Sequence, residues 1–358
     1  MAETPLRNLD VPRVVDDWYV LARSAELGRR PIARELHGRP IALFRDGAGR
    51  AAALVDRCPH RNVPLSAGRV EHGELECPYH GWRFDPDGRC TTVPGLAGEA
   101  DHRSRRCGSH AVRERDGFVW VWATEGVTPT REPFDLPLVR DARYATVYQT
   151  IDVAGTVHAV AENALDVPHT AYLHRGLFRG TGKTNEIEVR VRRFHDHVEA
   201  EYVGEPRPEG MLGRVLAPRG GVVEHFDRFF LPSIAQVEYR LGESHVVATT
   251  ALTPLDDRRT RMHGVASFRL PFLSPRLGQP IGQLLRPLAL LVLRQDARIL
   301  AKQDAILARF GETRFASTEL DVLGPSILKL LRQAERGRST PSIEADATVD
   351  ERSIRMRV

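Results

Sequence analysis

The chain has 358 residues, 27% of them charged and 42% hydrophobic, which fits two folded domains of ordinary size and excludes a disordered chain. Its 51 basic and 47 acidic residues leave a formal charge of +4, and Lys occurs only at 183, 302 and 329. No basic run is interleaved with aromatics, so the arginine richness reads as composition and no nucleic-acid partner is expected. Met1 to Val11 is polar and contains acids, unlike a secretory leader. The longest apolar run, Leu288 to Leu293, is too short to cross a bilayer and is flanked by Arg286 and Arg294. The chain is expected to be cytoplasmic, with no membrane span.

In chain order, residues 17–123 read as short strands between turns. Trp18 to Ala22, Ile41 to Phe44, Ala51 to Val55 and Phe118 to Trp122 are strand-like. Asp46-Gly47-Ala48-Gly49 supplies the turn between the second and third. Two Cys/His arms then follow on loops, Cys58-Pro59-His60-Arg61 and Cys77-Pro78-Tyr79-His80-Gly81-Trp82, with a hairpin at Gly73 between them. Two thiolates and two imidazoles form the ligand set in which two histidines replace two cysteines on one iron of a [2Fe–2S] centre. A structural zinc site also uses Cys₂His₂. Zinc arms usually pair like with like, whereas each arm here carries one residue of each type. Arg57, Arg61, Arg69 and Arg83 beside the arms suggest a docking face for an acidic electron donor. Cys90 and Cys107 remain, and in a reducing cytosol free buried thiols are expected.

Gly126, Pro129, Pro133 and Pro137 mark residues 124–140 as a linker. Beyond it, Tyr144 to Val153 reads as a strand and 156–175 as a helical region. Glu186 to Val191, His197 to Val203, Arg228 to Tyr239, His245 to Leu252 and Met262 to Leu270 alternate as strands of an antiparallel sheet. A long helix follows, opened by Pro287 and closed by Gly311. A last helix over 325–336 carries Ile327, Leu328, Leu330, Leu331 and Ala334 as its apolar stripe. From Gly337 the chain reads as a polar tail. The fold class is therefore α+β, with an all-β domain over 17–123, a sheet-and-helix domain over 141–336 and a tail over 337–358.

A second constellation lies between Glu162 and His174. Asp166 and His169 are three apart and share a helix face. His174 is five beyond His169, about 140° round an ideal helix, and would miss the same ion. Pro168 and Gly176 suggest a bent or terminating helix that swings His174 back. Two histidines with open positions need a carboxylate to form the facial triad of non-haem Fe(II) oxygenases. Asp296 lies among Val292, Leu293, Ile299 and Leu300 of the long helix, where an unpaired acid would cost several kcal/mol. Asp304 is flanked similarly, so burial alone leaves both open.

With the longer patterns around its arms, the chain resembles the Rieske proteins, and the second constellation makes it similar to the Rieske non-haem iron oxygenases from about Trp18 to Phe310. The resemblance implies a [2Fe–2S] cluster on Cys58, His60, Cys77 and His80. It implies a helix-grip, START-like catalytic domain holding mononuclear Fe(II) on His169 and His174. Its Gln/Glu-Asp pair followed by Gln matches Gln295-Asp296 and Gln303, which selects Asp296 as third ligand. It further implies that Asp166 bridges His169 to His80 of the next subunit in a head-to-tail homotrimer, with Asn163 near the iron. The implied activity is that of a terminal oxygenase fed by a separate ferredoxin or flavin reductase. Its length favours the single-subunit monooxygenases and demethylases, acting on an aromatic or polycyclic apolar substrate. The alternatives are a cis-dihydroxylating arene dioxygenase, and a Rieske electron carrier with a non-catalytic ligand-binding domain.

Overall fold

The computed structural model describes residues 11–174, 185–206, 223–271, 275–311, 315–337 and 348–357. Two compact units emerge. One comprises Val15–Leu136 with Thr253–Asp256, and the other holds the rest, from Pro137 onward together with Met1–Val14.

The first unit is all-β. Its strands are β1 (Trp18–Arg23), β2 (Ile32–Leu36), β3 (Arg39–Arg45), β4 (Ala51–Val55), β5 (Arg69–Glu71), β6 (Glu74–Glu76), β7 (Arg83–Phe84), β8 (Cys90–Thr92), β9 (Ser109–His110), β10 (Val112–Arg115) and β11 (Phe118–Trp122). They form three sheets ordered β1-β11-β10, β2-β3-β4-β9 and β5-β6-β7-β8. Trp18, Trp120, Trp122, Phe44 and Phe84 are fully buried, and Trp18 meets Trp122 edge-on at 5.6 Å. The small third sheet turns at His72-Gly73 and again at Asp85 to Arg89, and so throws both Cys/His loops out from one end.

Gly88 marks a tight point in this unit. Its φ is +79°, and an added Cβ would lie 2.0 Å from the Cys107 carbonyl oxygen. Gly88→Ala is therefore expected to cost about 1–3 kcal/mol in backbone strain alone. The check is thermal unfolding of the variant; an unchanged melting temperature would contradict the packing described.

The expected linker over 124–140 is corrected in its first part. Residues 124–136 strap onto the β unit: Thr124 Oγ1 donates to the Val15 carbonyl, Trp18 Nε1 to that of Arg131 at 2.6 Å, and Arg115 pairs with Asp135. Proline and glycine stop regular structure here without freeing the chain.

The second unit is one eight-stranded sheet with helices. Its elements are α1 (Pro137–Arg140), β12 (Ala145–Ala154), α2 (Val157–Ala164), α3 (Thr170–Leu173), β13 (Glu186–Arg193), β14 (His197–Val203), β15 (Val223–Phe230), β16 (Ile234–Leu241), β17 (Ser244–Pro254), β18 (Arg259–Arg269), α4 (Pro275–Phe310), α5 (Gly324–Glu335) and β19 (Asp350–Arg357). The sheet order is β12-β18-β17-β16-β15-β14-β13-β19. Val189, Val191, Val198, Ala200 and Phe229 join Ile327, Leu330 and Leu331 of α5 in one buried cluster with Val160 and Ala161 of α2.

Three expectations are corrected here. Arg228 to Tyr239 is not one strand: a turn at Leu231 to Ser233 divides it, because Pro232 has no N–H to give a ladder. Pro287 does not open the long helix, which starts at Pro275 and carries both Pro280 and Pro287 inside it. The tail is not free throughout, since β19 pairs antiparallel with β13 and buries Met356 against Ile187. Gly176, invoked as a helix terminator, lies outside the described residues, as do 1–10 and 338–347. No described helix is long and apolar enough to cross a membrane.

Candidate metal centres

The two cysteine loops are built alike. In each, the cysteine N–H donates to the carbonyl five residues on, Val63 at 2.9 Å or Trp82 at 2.8 Å. In each, the cysteine carbonyl accepts from the N–H four residues on, that of Asn62 at 2.9 Å or Gly81 at 3.1 Å. Both closing residues have positive φ, +60° at Asn62 and +68° at Gly81, a conformation Asn and Gly tolerate best. The shared turn places like with like. Cys58 and Cys77 are buried neighbours, whereas the His60 and His80 rings meet at 4.5 Å nearer the surface. Burial pushes the Cys58 thiol up to about 11, with Cys77 beside it adding to the rise.

A thiol pair and an imidazole pair, side by side, fit a two-iron cluster better than one tetrahedral ion. His60 Nδ1 is buried without a hydrogen-bond partner, as a ligand nitrogen would be. Trp82 stacks flat on His60, 2° from parallel at 4.6 Å, and fixes the ring plane. Its stacking role was not read from the sequence; nor was the Asn62/Gly81 match, although both stand four residues after a cysteine. Of the four flanking arginines, Arg69 pairs with Glu71 and Glu76, and Arg83 with Glu74. Among the described residues Arg57 donates to the neutral Asn62 side chain, and Arg61 is exposed. Cys90 and Cys107 are free buried thiols.

The second constellation forms where the chain breaks between α2 and α3. The helical region expected over 156–175 stops at Ala164 and resumes for one turn at Thr170. His169 caps that turn at its start, and His174 ends it with ψ of +42°. This termination brings back a histidine that an ideal helix would carry away. His169 Nε2 and His174 Nε2 stand 3.3 Å apart, and Asp296 Oδ1 of α4 lies 3.5 Å from the first and 3.0 Å from the second. All three donors lie within 4.8 Å of one another, and His174 is 2% exposed. Asp304 is elsewhere, forked onto Arg258 at 2.8 and 3.1 Å.

Donors about 2.1 Å from one ion and about 90° apart would stand about 3.0 Å from each other, so the spacings suit a single cation. Asp296 Oδ1 is buried and makes no hydrogen bond despite its two histidine neighbours. The outer nitrogens are oriented: His174 Nδ1 meets Gln295 Oε1 at 2.7 Å, and His169 Nδ1 faces Asp166 Oδ2 at 3.5 Å. Burial alone would lower the His169 pKa, but Asp166 and Asp296 outweigh it and lift it to about 9. The same two carboxylates supply the charge that a dication would neutralise. Gln295 as orienter of His174 was not read from the sequence, where only its place before Asp296 drew notice.

Asp166 opens outward. With Asn163, His169, Tyr172, Ile299 and Gln303 it lines a groove of about 900 Å³. Asn163 lines this groove together with His169.

A β unit with paired Cys/His loops, joined to a helix-bearing antiparallel sheet with a His/His/Asp point, describes a two-centre iron oxygenase. Residues 17–103 match the Rieske [2Fe-2S] domain, and residues 153–337 match the vanillate O-demethylase oxygenase C-terminal domain. Aminopyrrolnitrin oxygenase of Pseudomonas fluorescens is 30% identical over 72% of this chain and 76% of its own. The oxygenase component of dicamba O-demethylase from Stenotrophomonas maltophilia is 38% identical over 44% of this chain. That match spans 47% of the relative, about half its length. Dicamba monooxygenase bound to 3,6 dichlorosalicylic acid superposes with a TM-score of 0.78 at 26% identity, over 92% of this chain and 99% of the other. The chain belongs to the Rieske non-haem iron oxygenases, in the group with a vanillate O-demethylase type of catalytic domain. The Rieske domain implies a [2Fe–2S] cluster, and the donor set of His169, His174 and Asp296 fits a mononuclear iron.

Proposed function

We propose that the chain is the terminal oxygenase of a multicomponent monooxygenase, hydroxylating or oxidatively demethylating an aromatic or polycyclic apolar substrate with O₂. The observation that carries the reading is the convergence of His169, His174 and Asp296 on one point beside an orphaned carboxylate oxygen. Cys58 and Cys77 would hold one iron of the cluster, His60 and His80 the other. When bound, the mononuclear iron supplies open positions for oxygen chemistry, and the cluster supplies electrons one at a time. Gln295 keeps the proton of His174 on Nδ1 and leaves Nε2 to face the metal. Asp166 faces His169 Nδ1 at 3.5 Å, and its charge favours a proton on that nitrogen.

The electron route accounts for the outward half of Asp166. We place this chain in a homotrimer in which Asp166 joins His169 to His80 of the partner subunit. His80 is exposed, and Asp166 keeps 36% of its side chain accessible at the groove. The donor would be a ferredoxin or flavin reductase, met at the basic face of Arg57 and Arg61. Free thiols at Cys90 and Cys107 suit a cytoplasmic setting.

The test is oxygen uptake by the reconstituted protein with a surrogate reductase and a panel of apolar aromatics. Substrate-dependent uptake with an oxygenated product is expected; uptake independent of every compound would count against the reading. The choice of acid has its own check. Asp296→Asn is expected to lose the mononuclear iron and Asp304→Asn to keep it, read by metal analysis, and the reverse pattern would exchange the two.

A further inference from the structure

The two cysteine loops share one turn but differ in the residue that closes it. The carbonyl accepting the cysteine N–H belongs to Val63 in the first loop and to Trp82 in the second. An aliphatic side chain thus stands in one loop where an indole stands in the other. The indole packs against the buried group that includes Cys58, Cys77, Leu65, Leu75 and Phe84. It also lies on the His60 ring, 2° from parallel at 4.6 Å. The second histidine has no such cover among the described residues. The rings beside His80 are His60, inclined at 62°, and Tyr79, inclined at 41°, and neither lies flat on it. His80 and Tyr79 are exposed, whereas His60 and Trp82 are half-buried. One imidazole of the pair therefore faces solvent and the other faces an indole.

Charge gives this asymmetry a consequence. Two ferric ions, two sulfides and two thiolates balance, so with neutral imidazoles the oxidised cluster is uncharged and the reduced one carries a single negative charge. One electron enters from the donor, and no bond is made or broken. The face of an indole is the negative part of its quadrupole. Set flat against a histidine of the cluster, it disfavours the added charge. The same ring holds water off His60, and water would stabilise that charge. Both effects have one sign.

We infer that Trp82 is a positioning residue for the cluster whose indole, flat on His60, lowers the reduction potential. Histidine ligation by itself raises that potential. Trp82 takes back part of the rise, so the reduced cluster is a stronger donor towards the mononuclear iron. This role needs the cluster but no particular substrate.

The experiment is a mediated redox titration of the full chain with its cluster, anaerobic and at neutral pH. It compares the parent with Trp82→Ala, Trp82→Phe and Tyr79→Ala, and iron and acid-labile sulfide confirm that each holds the cluster. Trp82→Ala is expected to shift the equilibrium towards the reduced cluster by about 3- to 10-fold, a rise of about 28–59 mV for one electron. Trp82→Phe keeps an aromatic face and is expected to recover at least half of that shift. Tyr79→Ala, at the tilted and exposed ring, is expected to stay at the parental potential. An unchanged or lower potential in Trp82→Ala, no recovery in Trp82→Phe, or an equal rise in Tyr79→Ala overturns the inference. Should Trp82→Ala fail to hold the cluster, Trp82→Leu fills the site without a π face; a rise is expected there, and a parental potential overturns the inference as well. Because the titration uses neither O₂ nor substrate, failure of the oxygenase reading would appear separately, in oxygen uptake.

Discussion

His169→Ala is expected to fall more than about 100-fold in turnover while its visible cluster spectrum stays that of the parent. The magnitude follows from its place at the metal: loss of an outer-shell partner alone typically costs 10–100-fold, and this change removes a donor itself. Its Nε2 stands 3.3 Å from that of His174, so the variant leaves one imidazole and Asp296 to hold the ion. The spectrum is unaffected because Cys58, His60, Cys77 and His80 belong to the other compact unit. Steady-state turnover and the absorption spectrum of the same preparation check both halves. Bleaching of the cluster together with activity would show that the two centres are not divided as drawn.

Asp166→Asn is expected to retain both metals and still lose turnover by more than about 100-fold. The amide keeps the size of the carboxylate but removes the charge facing His169 Nδ1 at 3.5 Å. The proposed path from His80 of the partner subunit would then lack its acceptor on one side. Cluster reduction by the surrogate donor should proceed at the parental rate, whereas reoxidation of the cluster in the presence of substrate and O₂ should slow. Stopped-flow absorbance separates these two steps. Parental reoxidation in the variant would remove Asp166 from the path.

The centres were legible to very different degrees. Each Cys/His arm is a local loop, so residue type and spacing carry its chemistry with no need of tertiary structure. The His169/His174 pair was harder, since an offset of five only works if the helix stops, and Pro168 was the sole clue within the described residues. Asp296 and Asp304 sit in similar apolar surroundings along α4, and tertiary placement separates them, Asp296 beside His169 and His174 and Asp304 on Arg258. The strands β5–β10 run two to four residues, too short to show a period. β2 was missed because Ala33, Arg34 and Glu35 disguise its buried Leu36. β19 reads as tail because its arginines hide two apolar residues, Ile354 and Met356, spaced for one face. The buried His225, which meets Glu205 and Asp227, was invisible for another reason: Glu205 lies just beyond β14, and Tyr202, Asp227 and Tyr239 come from three strands whose register no single strand encodes.

The most direct measurement is iron and acid-labile sulfide on one purified preparation, reconstituted anaerobically and set against protein concentration. Two separate centres predict about three irons and two sulfides per chain, with the third iron removed by a mild chelator while the cluster colour persists. Two irons that leave together with the colour, or zinc in place of both, would contradict the account.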